Sequence, residues 1–161
     1  YLAAFYLSVQ MENIIIKEGN FGKPYLRCKI KETNLQYNLS HSGDYLLLVF
    51  SYGMPLGVDV QEKIELADYK DIAKHFFHKY EYQAICEDST ENTFFDIWTA
   101  KEAYIKAIGK GWSQDSDSFY IKNNNIFSLN EKQENWKIYR FKLNCNYSVA
   151  VVMGEHLQKG D

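Results

Sequence analysis

The residues whose types and spacing could do chemistry are few, and two of them are acids in unexpected company. Asp59 lies in Gly57-Val58-Asp59-Val60-Gln61, a β-forming run in which Asp is depleted. Period two puts Asp59 and Gln61 on one face and Val58 and Val60 on the other. Glu102 lies in Trp98-Thr99-Ala100-Lys101-Glu102-Ala103-Tyr104-Ile105-Lys106, which reads as a helix stopped by Gly109 and Gly111. At about 100° per residue, Glu102 shares an apolar stripe with Phe95, Trp98 and Ile105, with Lys106 at its margin. A carboxylate on such a stripe is costly unless something faces it. Two carboxylates from separate elements are what magnesium asks of a protein, since water and substrate phosphates complete its octahedron. Lys101, Lys106 and Lys110 bring positive charge to the same place. The bland alternative is a surface Glu102–Lys106 pair, worth only about 0.2–0.5 kcal/mol.

Other groups could meet an anion. Ser40-His41-Ser42-Gly43-Asp44 reads as a turn between two strands, with two hydroxyls and an imidazole at a sheet edge. The competing reading is a hairpin turn whose Ser and Gly serve only the backbone. Lys23, between Gly22 and Pro24, is either a solvated loop lysine or a cation on restricted backbone. Gly109-Lys110-Gly111 lacks the spacing of a phosphate loop. His75 and His78 have no partner at metal-ligand spacing. No Gly-x-Ser-x-Gly elbow occurs, which argues against a Ser-His-Asp hydrolase.

The elements that must position these groups follow from periodicity. Residues 1–10 read as the tail of a helix and Ile14-Ile15-Ile16 as a strand. Residues 18–25 read as a loop. Leu35–Leu39 alternates like a half-buried strand, and Tyr45–Phe50 reads as a buried one. A boundary falls within Ser51–Leu56. A helix is expected over about Ala67–Cys86 with a break near Lys79-Tyr80, then a polar link from Glu87 to Thr93. After Gly111 strands are expected near 118–121, 136–143 and 147–153, with Asn-rich turns between them and a polar, frayed tail over 154–161.

At 161 residues, with 46% hydrophobic and 24% charged residues, the chain has enough apolar area for a sizeable core. A net charge of −3 gives no overall attraction to nucleic acid or an anionic membrane. No apolar run approaches membrane-spanning length, and the opening residues do not read as a signal peptide. Cys28, Cys86 and Cys145, odd in number and far apart, suit free buried thiols in a reducing cytoplasm. The chain lacks an initiator Met, so a start inside an element is expected.

Four motifs in order, Gly22-Lys23-Pro24, Asn38-Leu39-Ser40-His41-Ser42-Gly43, Gly57-Val58-Asp59-Val60 and Trp98–Lys106 with Gly109-Lys110-Gly111, together resemble the 4'-phosphopantetheinyl transferases of the surfactin-synthetase-activating type. The resemblance implies an α+β fold: a monomeric pseudo-dimer of two similar lobes, here residues 1–54 as the remainder of an N-terminal lobe incomplete at its start, and 55–161 as the C-terminal lobe. Coenzyme A would lie between them, with Lys23, Ser40 and His41 around its phosphates and Lys101 and Lys106 flanking the pyrophosphate. Asp59 and Glu102 would hold magnesium. Gln61 stands where many members carry a further acid, so a shell with one more water is expected. The implied reaction moves phosphopantetheine from coenzyme A to a serine of an apo acyl or peptidyl carrier protein, with Glu102 as base and Lys106 offsetting charge. A coenzyme A-binding module without catalysis is the alternative.

Overall fold

The computed structural model describes residues 1–19, 21–111, 115–129 and 131–155. The chain is organised around one long helix, here α4 (Asn92–Ile108). It has no interior Gly or Pro, and it stops where Gly109 adopts φ 70° and returns its N–H to Ile105 O at 3.1 Å. Its start is held by Asp88, whose carboxylate accepts from the backbone N–H groups of Thr90 (2.9 Å) and Thr93 (3.1 Å). The expected single apolar stripe proves too narrow a description. Phe94, Phe95, Ile97, Thr99, Ala100, Ala103, Ile105 and Ala107 are all buried, so the helix is covered on several sides.

Before α4 come α1 (Leu2–Leu7), β1 (Ile14–Glu18), β2 (Pro24–Cys28), β3 (Leu35–Ser42), β4 (Tyr45–Tyr52), β5 (Leu56–Glu62), α2 (Tyr69–Phe76) and α3 (Lys79–Glu87). After it come β6 (Phe119–Lys122), β7 (Asn125–Ser128), β8 (Glu131–Lys132), β9 (Trp136–Arg140) and β10 (Tyr147–Gly154). All strand pairings are antiparallel: β1 with β2, β3 with β4, β5–β10–β9 and β6–β7–β8. Antiparallel sheets packed against helices are the α+β arrangement.

Ala100, Ala103 and Ala107 of α4 pack on Ala150 and Val152 of β10, with Phe119, Ile126 and Ile138 closing the cluster. Small side chains here let helix and sheet approach closely. Gly57 of β5 marks the tightest point, where a Cβ would sit 2.1 Å from Ala103 O. A second core joins Ala73 of α2, Phe77 just after it and Ile85 of α3 to Phe94, Phe95 and Ile97. A third joins Ala3 and Leu7 to Leu26, Leu35 and Tyr37.

Several expectations shift. β2 begins at Pro24, inside the loop expected over residues 18–25, and runs to Cys28. Ser40-His41-Ser42 belongs to β3 and not to a turn; the chain reverses at Gly43, with φ 50°, and Asp44. β4 is only half-buried, with Leu46 67% exposed, although Leu48 and Phe50 meet the third core and Tyr45 and Leu47 meet Val60 and Tyr147. Asn123 and Asn124, with φ 50° and 59°, make the tight β6–β7 hairpin turn that carries the chain into an unforeseen strand. The three thiols are free, but Cys86 and Cys145 are exposed where buried ones were expected. The tail expected to fray lies, from residue 156 on, outside the described residues. Among the described residues no helix is long and apolar enough to cross a membrane.

Candidate active site at the crossing of strand β5 and helix α4

α4 runs antiparallel to β5, which sets facing pairs: Gly57 opposite Ala103 and Ala107, Asp59 opposite Lys106 and Glu102. Asp59 is 6% exposed. Its Oδ1 accepts from Lys106 Nζ at 2.7 Å and from Ser40 Oγ at 2.8 Å. Lys106 Nζ donates further to Val58 O and Ser40 Oγ, both at 3.2 Å. Burial pushes the Asp59 carboxyl above its ordinary range, and Lys106 with the Ser40 and Val60 hydrogen bonds pulls it back. Glu102, one helical turn before Lys106, is half-buried. Burial raises its pKa first, the charge of Asp59 raises it further, and Lys106 opposes both.

The arrangement thus brings together four of the expected site residues, Ser40, Asp59, Glu102 and Lys106. Two carboxylates that disfavour each other's charge form a donor set that gains from a divalent cation, and two protein oxygens suit magnesium. No group of three or more His, Cys, Asp and Glu side chains placed to hold a metal exists among the described residues, so any metal here would lean on water and substrate.

The other expected residues take different positions. Lys23 reaches into the same crossing from the β1–β2 loop, its ammonium donating to Ala107 O at 2.9 Å and Leu56 O at 3.1 Å. A cation on the last carbonyls of a helix is favourable, and burial lowers Lys23 to about 8. His41 is exposed on the opposite face of β3 from Ser40. Gln61 follows Asp59 on the same face but donates to Glu62 O at 3.3 Å and borders a cavity of about 140 Å³ with Phe95 and Trp98.

Lys101 corrects the expectation that it flanks a pyrophosphate. Its Nζ is 2.7 Å from both Glu81 Oε2 and Phe119 O, and it lies over the Phe119 ring. One residue before Glu102 on a helix is a rotation of about 100°, enough to send it into the interior. Glu81 is the residue that sequence reasoning missed. Its Oε2 also accepts from His78 N (3.0 Å) and its Oε1 from Ile121 N (2.8 Å), so it ties α3, α4 and β6 together. The spacing of His78 and Glu81 signals a capping box, which the structure contains, but not the lysine that closes it. Apolar residues gather on the outer side of Glu102, where Phe76, Phe77, Trp98 and Ile105 line a cavity of about 150 Å³.

An α+β molecule whose acids meet a lysine and a serine at a strand–helix crossing is a class that comparison with known proteins resolves further. Residues 55–152 match the family described as the 4'-phosphopantetheinyl transferase superfamily, and residues 1–52 match the 4'-phosphopantetheinyl transferase N-terminal family. The chain belongs to the 4'-phosphopantetheinyl transferase superfamily. It is 37% identical over 134 residues to the 4'-phosphopantetheinyl transferase gsp of Aneurinibacillus migulanus, covering 79% of this chain and 53% of that protein. It is 34% identical over 109 residues to the 4'-phosphopantetheinyl transferase HetI of a Nostoc species, covering 66% of this chain and 46% of that one. To the 4'-phosphopantetheinyl transferase Sfp of Bacillus subtilis it is 35% identical over 105 residues, covering 63% and 44%. The chain spans about half the length of these curated relatives.

Proposed function

We propose that this chain carries a site that transfers 4'-phosphopantetheine from coenzyme A to a serine hydroxyl of an apo acyl or peptidyl carrier protein, releasing 3',5'-ADP. The observation that carries the reading is the meeting of Asp59 and Glu102, from distant elements, beside Lys106 and Ser40. The serine oxygen bonds to the phosphorus bearing pantetheine, the bridging P–O bond breaks, and its electron pair leaves with the adenosine diphosphate. Glu102 takes the serine proton; a carboxylate raised by burial is a better base than an exposed one. Lys106 offsets charge gathering on the leaving phosphate, with Ser40 donating to it. The exposed His41, and Lys23 by turning from the Ala107 and Leu56 carbonyls, would meet the outer phosphate. Magnesium, held by Asp59 and Glu102 with Gln61 turning a water toward it, would supply further charge at the phosphates.

The same proposal divides the chain into lobes at 1–54 and 55–161, related as a pseudo-dimer in a cytoplasmic monomer. Two family matches that meet between residues 52 and 55 support that division. Incubating the full chain with coenzyme A, magnesium and an apo carrier tests the activity by intact mass. Phosphopantetheine gain that Glu102→Gln abolishes, with coenzyme A affinity kept within a few-fold, supports it. No gain across several carriers rejects it. The neutral amide at Gln61 favours a second reading, a coenzyme A-binding module without catalysis, which predicts binding by calorimetry and no turnover.

A further inference from the structure

Among the described residues β5 is paired by main chain on one side only, with β10. Its other edge faces β3 without a backbone ladder, yet the polar groups of that edge are taken up by side chains. The N–H of Val58 donates to Asn38 Oδ1 at 2.8 Å, that of Val60 to Ser40 Oγ at 3.3 Å, and that of Glu62 to Ser42 Oγ at 2.9 Å. The carbonyls of Leu56 and Val58 on the same edge accept from Lys23 and Lys106. Acceptors two residues apart on β3 thus meet donors two residues apart on β5, in parallel and at a constant separation of 20 residues. An edge strand normally needs a neighbour or water; here alternate polar side chains replace the neighbour.

Side-chain rungs hold two strands farther apart than the ~4.8 Å of a main-chain ladder. The added width admits the Ser40 hydroxyl and the Lys106 ammonium to the strand edge beside Asp59. The middle rung is shared, because Ser40 Oγ accepts from Val60 and Lys106 while donating to Asp59. Any anion that recruits Ser40 weakens that rung, so the register of β5 then depends on the outer two.

We propose that Asn38 and Ser42 are positioning residues: by holding the N–H groups of Val58 and Glu62, on either side of Asp59, they keep its carboxylate on Ser40 and Lys106. The functional meaning rests on the proposed transferase reading, but the geometry is testable without coenzyme A. In the full chain, Asn38→Ala should speed amide exchange at Val58 by about tenfold, the net worth of roughly one hydrogen bond. Gly57 and Asp59, whose N–H groups face β10, should exchange as before. The 15Nζ ammonium signal of Lys106, sharp while held on Asp59, should broaden in the same variant. Ser42→Ala should do the same at Glu62, and Ser42→Thr, which restores the hydroxyl, should reverse it.

Unchanged exchange at Val58 and Glu62 would overturn the proposal. So would faster exchange with an unaltered Lys106 signal, which would make the rungs structural and nothing more. If Asn38→Ala does not fold, the Ser42 pair decides, since that side chain is only half-buried. Failure of the unaltered chain to bind 3',5'-ADP would overturn the proposed function and leave these spectra to decide this proposal by themselves.

Discussion

Helix α4 carries two lysines five residues apart, and each meets a carboxylate at 2.7 Å. The Lys101–Glu81 pair is closed to water, its side chains 3% and 1% exposed. The Lys106–Asp59 pair is partly open, at 30% and 9%. The contact chemistry is the same, so surroundings decide what each pair does. Around Glu81 every acceptor is engaged by protein: Lys101, two backbone N–H groups and the interior face of β6. Burial pushes Glu81 up and Lys101 down, and their mutual attraction pulls both back. Nothing there is left to offer a ligand. Around Asp59 the partners are a hydroxyl and an ammonium that reach to the seam between β3 and β5, with Glu102 one turn away. In the proposed reaction Lys106 would turn from Asp59 to a phosphate without unsealing a core.

The largest test of this difference removes one cation from each pair. Lys101→Met leaves the Glu81 carboxylate buried and uncompensated, and should lower unfolding free energy by about 3–5 kcal/mol in urea titration. Adding Glu81→Met should recover most of that loss, because a methionine pair in a closed site avoids the desolvation of both charges. A loss under about 1 kcal/mol from Lys101→Met would mean the interior pair does not differ from a surface one.

Lys106→Met should invert the pattern. Stability should change by about 1 kcal/mol, since water reaches the ammonium and Ser40 stays on Asp59. Transfer should fall by about 10²–10³-fold, the usual effect of deleting one group that stabilises developing charge. Parallel denaturation and single-turnover measurements would separate the two lysines, and similar stability losses in both variants would erase the distinction drawn here.

How far these roles could be read in the sequence depends on the kind of information each needs. The stop at Gly109 and the phase of Asp59 in β5 follow from local rules, a residue that tolerates positive φ and a period of two. The meeting of Asp59 and Glu102 was legible as an expectation because each is an acid where a β-forming or apolar residue belongs, and Lys106 lies one helical turn beyond Glu102. Lys101 carried none. Beside Glu102 it looked like part of the same cationic group, and only the third dimension brings Glu81, twenty residues earlier, to close over it. Asn38 and Ser42 were hidden for a related reason. Alternation placed Asn38 on a strand and the turn reading claimed Ser42, and a strand edge satisfied by side chains leaves no periodic mark distinct from an ordinary polar face. Gly57 likewise reads as a weak strand residue until α4 is laid against it, within 2.1 Å of any Cβ.

The smallest expected effect is a change of curve shape, and it isolates the open pair. Glu102 is raised by burial and by the charge of Asp59 and lowered by Lys106. Its carboxyl should therefore hold its proton to a pH above the ordinary glutamate value of about 4.3 and become a base only beyond that. A 13C titration of the Glu102 carboxyl without added metal reads this directly. Asp59→Asn should move the midpoint down, since a like charge is removed, and Lys106→Met should move it up, since the opposing cation is lost. Lys101→Ala, made in the same helix but inside the closed pair, should leave it where it was if the variant folds. A midpoint that ignores Asp59 and Lys106 would show that the three groups do not share a field, and the site at this crossing would reduce to an ion pair beside an unrelated acid.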